Sequence, residues 1–113
     1  MKEIKAIIQP FVLTRVVEAL KEIEGLPGVT VSDVRGFGRA RAAGALAPVI
    51  DEGIEYVKKA KLEIVVPDHL VGPVLKVIVE KAHTGKAGDG KIFVYPVSDV
   101  VKIRSGERGE DAI

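Results

Sequence analysis

Residues 61–83 read KLEIVVPDHLVGPVLKVIVEKAH, and the apolar period changes in the middle of that run. Before Pro67, Leu62, Ile64 and Val66 alternate with Lys61, Glu63 and Val65, the twofold repeat of a strand that turns one face to a core. After it, Val71, Val74, Leu75, Ile78 and Ala82 recur at helical spacing as far as about His83, with Asp68 placed as the cap of the first turn. Strand and helix thus meet at a proline, and the flanking segments decide which fold contains them.

Downstream, the glycine-rich stretch TGKAGDGK (84–91) leads into a β-rich run from Ile92 to Val97, and Val101 to Arg104 forms a short further strand before the charged tail. Upstream, residues 3 to 9 read as a strand with Ile4, Ala6 and Ile8 on one face and Ile7 on the other. Thr14 caps a helix through about Glu24, whose stripe is Val16, Val17, Leu20 and Ile23. Gly25-Leu26-Pro27-Gly28 breaks it, and β-branched strands follow from Val29 to about Phe37 and from Tyr56 to Val66. The order βαββαβ predicts an α+β, ferredoxin-like sandwich with both helices on one face of the sheet, formed as a single domain over 1–113. Its other face carries Ile7 and Val65, so the pattern predicts burial of that face by self-association.

Residues 40–55, ARAAGALAPVIDEGIE, separate the two middle strands by more than a tight turn requires. Long loops in compact domains tend to carry function, which reads this one as a mobile arm; a hairpin extension of the sheet is the other reading.

Composition narrows the function. Seventeen Lys+Arg against sixteen Asp+Glu give a net charge of +1, so no global field draws the chain to nucleic acid or to an anionic membrane. The lack of cysteine removes disulfides, thiolate metal sites and cysteine nucleophiles, and suits a reducing compartment; cytoplasmic location is the expectation. The charged start, MKEIKAIIQP, has no apolar signal core, and no apolar run reaches membrane-spanning length.

Three segments are candidates for one anion site. In 84–91, Gly85, Gly90 and Lys91 match part of a P-loop, but Ile92 stands where a magnesium-binding hydroxyl belongs, and the helix precedes the glycines instead of following them. Another phosphate cradle remains, with bare N–H groups along the loop from Gly85 to Lys91 and a point charge at Lys91; a helix cap and turn at Gly85 is the plainer alternative. In Lys102-Ile103-Arg104, an extended chain points both cations one way and Ile103 into the core, although a solvated edge strand explains the charges as well. In Arg35-Gly36-Phe37-Gly38-Arg39, the opening of an RNA-reading motif is followed by Ala40, Arg41 and Ala42, and an aromatic content of 4% leaves little for base stacking. His69 and His83 near the ends of the second helix form no metal pattern, and Ser32, Ser98 and Ser105 are ordered by no catalytic motif.

Taken together, IKAIIQPF, VRGFGR, KLEIVVPD, TGKAGDGKIFV and VKIRSGERGEDAI resemble the PII signal-transduction family over nearly the whole chain. The resemblance implies a homotrimer with ATP, ADP or AMP in each cleft between subunits. It implies that Gly88, Asp89, Gly90 and Lys91 hold the phosphates from one subunit while Lys102 and Arg104 reach them from another. Gly28, Val29 and Thr30, with Glu63 and Val65, border the base and ribose in this reading, and Gly38 lies against the phosphates. Residues 40–55 correspond to the family's T-loop, 84–91 to its B-loop and 102–113 to its C-terminal segment.

Several positions depart from the family pattern. Lys102 stands where arginine is usual and gives up bidentate geometry. Ala40 replaces the glutamine that helps hold magnesium and 2-oxoglutarate, Glu52 falls where a modified tyrosine is expected, and Gln9 replaces a common lysine. Arg39, Ala40 and Lys59 thus outline an effector site with weakened 2-oxoglutarate sensing, open to another small anion, and magnesium is left open. The implied function is nucleotide-dependent regulation of a membrane transporter or metabolic enzyme through the T-loop, without uridylylation. A nucleotide-hydrolysing enzyme on the same fold is the alternative, for which Asp89 and Glu63 are the available carboxylates; an RNA-binding module is a third.

Overall fold

The computed structural model describes residues 1–37 and 49–113. Strands β1 (Lys2–Ile8), β2 (Thr30–Gly36), β3 (Val49–Asp51), β4 (Ile54–Val66) and β5 (Gly90–Pro96) and helices α1 (Leu13–Lys21) and α2 (Asp68–Ala82) follow in chain order. The sheet runs β2-β4-β1-β5, with antiparallel neighbours throughout, and β3 pairs with β4 alone. This is the ferredoxin-like α+β architecture that the period change at Pro67 predicts.

The core lies between the sheet and the two helices. Ile4, Ala6 and Ile8 of β1 and Ala60, Leu62, Ile64 and Val66 of β4 pack with Val16 and Leu20 of α1 and Val74 and Ile78 of α2. Register explains the alternation: Ile4 faces Ile64, Ala6 faces Leu62 and Ile8 faces Ala60, so one row of side chains after another enters the core. The helices leave the β2 edge uncovered, and Val31 is 42% exposed although it shares a face with buried Leu62.

Helix starts differ from expectation. Pro10 opens a short 3-10 turn, Pro10–Val12, that runs straight into α1, so Thr14 lies inside the helix and caps nothing. Proline with its fixed φ begins the turn where a side-chain cap was expected. Pro67, extended, precedes α2, and Asp68 is its first residue. Its carboxylate accepts from the Met1 amino group at 3.0 Å, and that bond and charge hold it below the usual carboxylate range. Pro73 sits in the second turn of α2, where the bond it removes would have reached His69, and the helix continues to Ala82.

Residues 38–48, which include the first part of the arm, lie outside the described residues. From Val49 onward the chain forms the β3–β4 hairpin, the geometry that the extension reading describes. The open sheet face is mixed in character: Ile7 and Val65 are half-buried, and between them run Lys5, Lys61 and Glu63. Lys61 Nζ stands 3.4 Å from Glu63 Oε1, and the Lys5 ammonium lies over the Tyr95 ring at 4.9 Å.

Candidate functional site

The segment 84–91 is a braced loop. Asp89 accepts from the Thr84 backbone N–H at 2.8 Å, from the Gly85 N–H at 3.0 Å and from the Thr84 hydroxyl. Those bonds, the hydroxyl's first, keep its carboxyl below the usual carboxylate range, with His83 Nδ1 at 3.8 Å adding charge. The carboxylate is therefore occupied inside the loop, and what Asp89 can offer an anion is its backbone N–H. Gly88 (φ 93°) and Gly90 (φ 103°) occupy the left-handed region. At Gly90 the need is also steric, since a Cβ would overlap the Ile7 carbonyl oxygen and stand 2.9 Å from its carbon. The strand β1 thus presses directly on the loop's last glycine.

Lys59 of β4 enters the same region. Its ammonium donates to the Gly88 carbonyl at 2.6 Å, and burial pulls its pKa down while the Asp89 charge opposes that shift. A residue assigned to an effector site therefore touches the loop assigned to phosphate. Gln9, next after β1, is buried, and its amide nitrogen has no hydrogen-bond partner among the described residues. The remaining expected effector residues, Arg39 and Ala40, and the expected phosphate contact Gly38 lie outside the described residues.

A second surface stands near the opposite end of β1. Gly28, Thr30, Glu63 and Val65 line a hollow of about 450 Å³ together with Glu3, Val100 and Ala112. Thr30 is paired with Glu63 across β2 and β4, and Glu3 with Val65 across β1 and β4, so the register gathers three of the expected contacts with Glu3. Val29 turns its side chain toward the core and is half-buried there. Glu3, Val100 and Ala112 were missed in the sequence; the β1 register offered a signal for Glu3, two residues from Lys5 on the same face.

The stretch Lys102-Ile103-Arg104 is not extended, contrary to expectation. Val101 bridges Arg108, Lys102 N–H donates to Glu107 O at 2.8 Å, and Gly106 N–H donates to Lys102 O at 2.7 Å, so residues 103–105 form a tight turn. Ile103 is consequently 100% exposed at the tip and enters no core. Glycines at 106 and 109, both with positive φ, let the chain double back, and the expectation of a strand ignored them. Asp99 and Arg108 clip the base of this turn, with Arg108 Nε donating at 2.9 Å, which holds the Asp99 carboxyl below its ordinary range. Lys102 Nζ lies 3.5 Å from Glu107 Oε1, while Arg104 makes no ion pair among the described residues.

Among the described residues no group of three His, Asp or Glu side chains gathers as a metal site, and no helix is long and apolar enough to cross a membrane.

Comparison with known proteins matches this arrangement over its full length. The family model described as nitrogen regulatory protein P-II covers residues 1–107. The chain is 49% identical to the nitrogen regulatory protein P-II of Haemophilus influenzae and 48% identical to that of Azospirillum brasilense, in each case over 113 residues and all of both chains. A crystal structure of Arabidopsis thaliana PII bound to citrate superposes with a TM-score of 0.79 at 46% identity, covering 99% of this chain and 91% of that one. Fold and full-length identity converge, and the chain belongs to the nitrogen regulatory protein P-II family of signal-transduction proteins.

Proposed function

We propose that the chain binds an adenine nucleotide, ATP, ADP or AMP, at a seam between copies of itself, and that occupancy biases its 40–55 segment between arrangements that do or do not fit a regulated transporter or metabolic enzyme. The observation that carries this reading is the separation of the two half-sites. The hollow lies beside Glu3 and Val65, the loop beside Ile8 and Gly90, and five residues of strand at about 3.4 Å each put them roughly 17 Å apart along β1. A second copy that sets its 84–91 loop against this hollow completes the site, and a homotrimer closes the arrangement by rotation.

In that seam the hollow takes the base and ribose, since Glu63 accepts hydrogen bonds and Val65 gives an apolar wall. Phosphates meet the N–H groups of Gly88, Asp89 and Gly90, with Lys91, Lys102 and Arg104 supplying charge. Lys102 must exchange Glu107 for phosphate, which makes the turn 101–108 responsive to occupancy. Hydrolysis finds less support, because Asp89 is engaged by Thr84 and Gly85 and Glu63 stands beside Lys61. The solved relative is bound to citrate, a small polycarboxylate, which favours a small carboxylate as second effector; weakened 2-oxoglutarate sensing rests on Ala40 standing in place of glutamine.

Calorimetry with ATP, ADP and AMP, run beside mass measurement of the assembly, tests the reading. The expected result is one nucleotide per chain in a trimer, lost with Lys91→Ala. Binding by a monomer, or no heat with any adenylate, contradicts it.

A further inference from the structure

We infer that Arg35 is a clamp that sets how much of the time the β3–β4 hairpin stays docked on the sheet. Among the described residues β3, three residues long, pairs with β4, through Val49 with Tyr56, Ile50 with Glu55 and Asp51 with Ile54. The ladder between β2 and β4 stops at Gly36 opposite Val57. Beyond that rung the described residues form a two-stranded ribbon, an arrangement that gains from side-chain ties. Its turn adds strain: Glu52 and Gly53 have φ of 49° and 78°, a conformation that glycine accepts and glutamate resists.

Arg35 supplies the tie. Its Nη2 donates to Asp51 Oδ2 at 2.6 Å, and its guanidinium lies over the Tyr56 ring at 5.1 Å. One side chain on β2 therefore engages both strands of the ribbon. Arg35 also stands directly opposite Lys58, a like-charge rung whose repulsion the Asp51 carboxylate relieves. Each side chain of the ion pair is 48% exposed, so salt reaches it and the clamp biases a population without locking it. A half-open hairpin at the root of the 40–55 segment is a device for adjusting what a partner meets, and it acts with no nucleotide bound.

Hydrogen exchange on the full chain without ligand, comparing peptides spanning 49–57 with peptides spanning 60–66, tests this. Arg35→Gln removes both contacts and is expected to speed exchange in 49–57 about tenfold; Asp51→Asn removes the ion pair and gives about three- to fivefold. Tyr56→Phe keeps the ring and matches the parent chain. High salt speeds the parent hairpin as Asp51→Asn does and adds nothing to that variant. Less than a twofold change in Arg35→Gln overturns the proposal, and so does an equal rise in 60–66, which would make Arg35 a support of the whole sheet. Because no adenylate is present, this outcome is independent of whether the seam binds one.

Discussion

The loop at 84–91 and the turn at 101–108 are both glycine-bearing, charged and exposed, yet they are built in opposite ways. The loop is fastened to the rest of the chain: Gly90 abuts Ile7, Lys59 reaches the Gly88 carbonyl, and Asp89 is consumed in bracing Thr84 and Gly85. The turn is fastened to itself, through Val101 with Arg108, Lys102 with Glu107 and Asp99 with Arg108, and it carries Ile103 into solvent at its tip. A cradle made of N–H groups needs rigid backbone, because each donor must already point inward when the anion arrives. A pair of cations that closes on that anion from another copy needs freedom to change partners. The contrast assigns preorganisation to one half of the proposed site and adaptation to the other.

Breaking the fastened half should have the largest effect. Gly90→Ala places a Cβ against the Ile7 carbonyl at a positive φ, and a loss on the order of 3 kcal/mol in denaturant unfolding is expected. The same change at Gly106, whose added Cβ meets nothing within 4 Å, should cost less, about 1 kcal/mol from φ alone. Equal losses at the two positions would remove the distinction between them.

Next comes the Asp89 brace. Its pKa is lowered in the folded chain, so its stabilising bonds are fully present above the ordinary carboxylate range and disappear as pH falls through and below that range. Protection of the Thr84 and Gly85 amides, taken relative to the intrinsic exchange rate at each pH, should fall in acid, and Asp89→Asn should give low protection already at neutral pH with that acid step removed, at a cost of about 1 kcal/mol. Amides that exchange equally fast in parent and variant would show that the carboxylate braces nothing.

The smallest effect on stability is expected in the self-fastened turn. Glu107→Gln frees Lys102 from a half-exposed ion pair and should alter stability by less than about 0.5 kcal/mol while strengthening nucleotide binding. Weaker binding would mean that Glu107 positions Lys102 and does not compete for it.

Much of this was legible in the sequence because periodicity reports burial directly. Leu62, Ile64 and Val66 alternate because β4 has one face on the core, and Val74 and Ile78 recur because α2 has one stripe on it. The grouping of Gly28, Thr30, Glu63 and Val65 around one hollow was reached through family resemblance, and register explains it physically. What escaped was set by contacts between distant residues or by glycine conformation. Nothing near Thr14 shows that Pro10 starts the helix earlier, and Lys102-Ile103-Arg104 reads as a strand unless the positive φ at Gly106 and Gly109 is anticipated. The partnership of Arg35 with Asp51 spans 16 residues and leaves no local pattern.

Subunit mixing tests most directly whether two copies share one nucleotide site. Lys91→Ala removes charge from the loop side and Arg104→Ala removes it from the turn side, so each variant alone should bind ATP poorly. Co-refolded in equal amounts, they should regain a fraction of the parent stoichiometry, because some seams then pair an intact loop with an intact turn. A mixture that binds no better than its two components would contradict the shared seam.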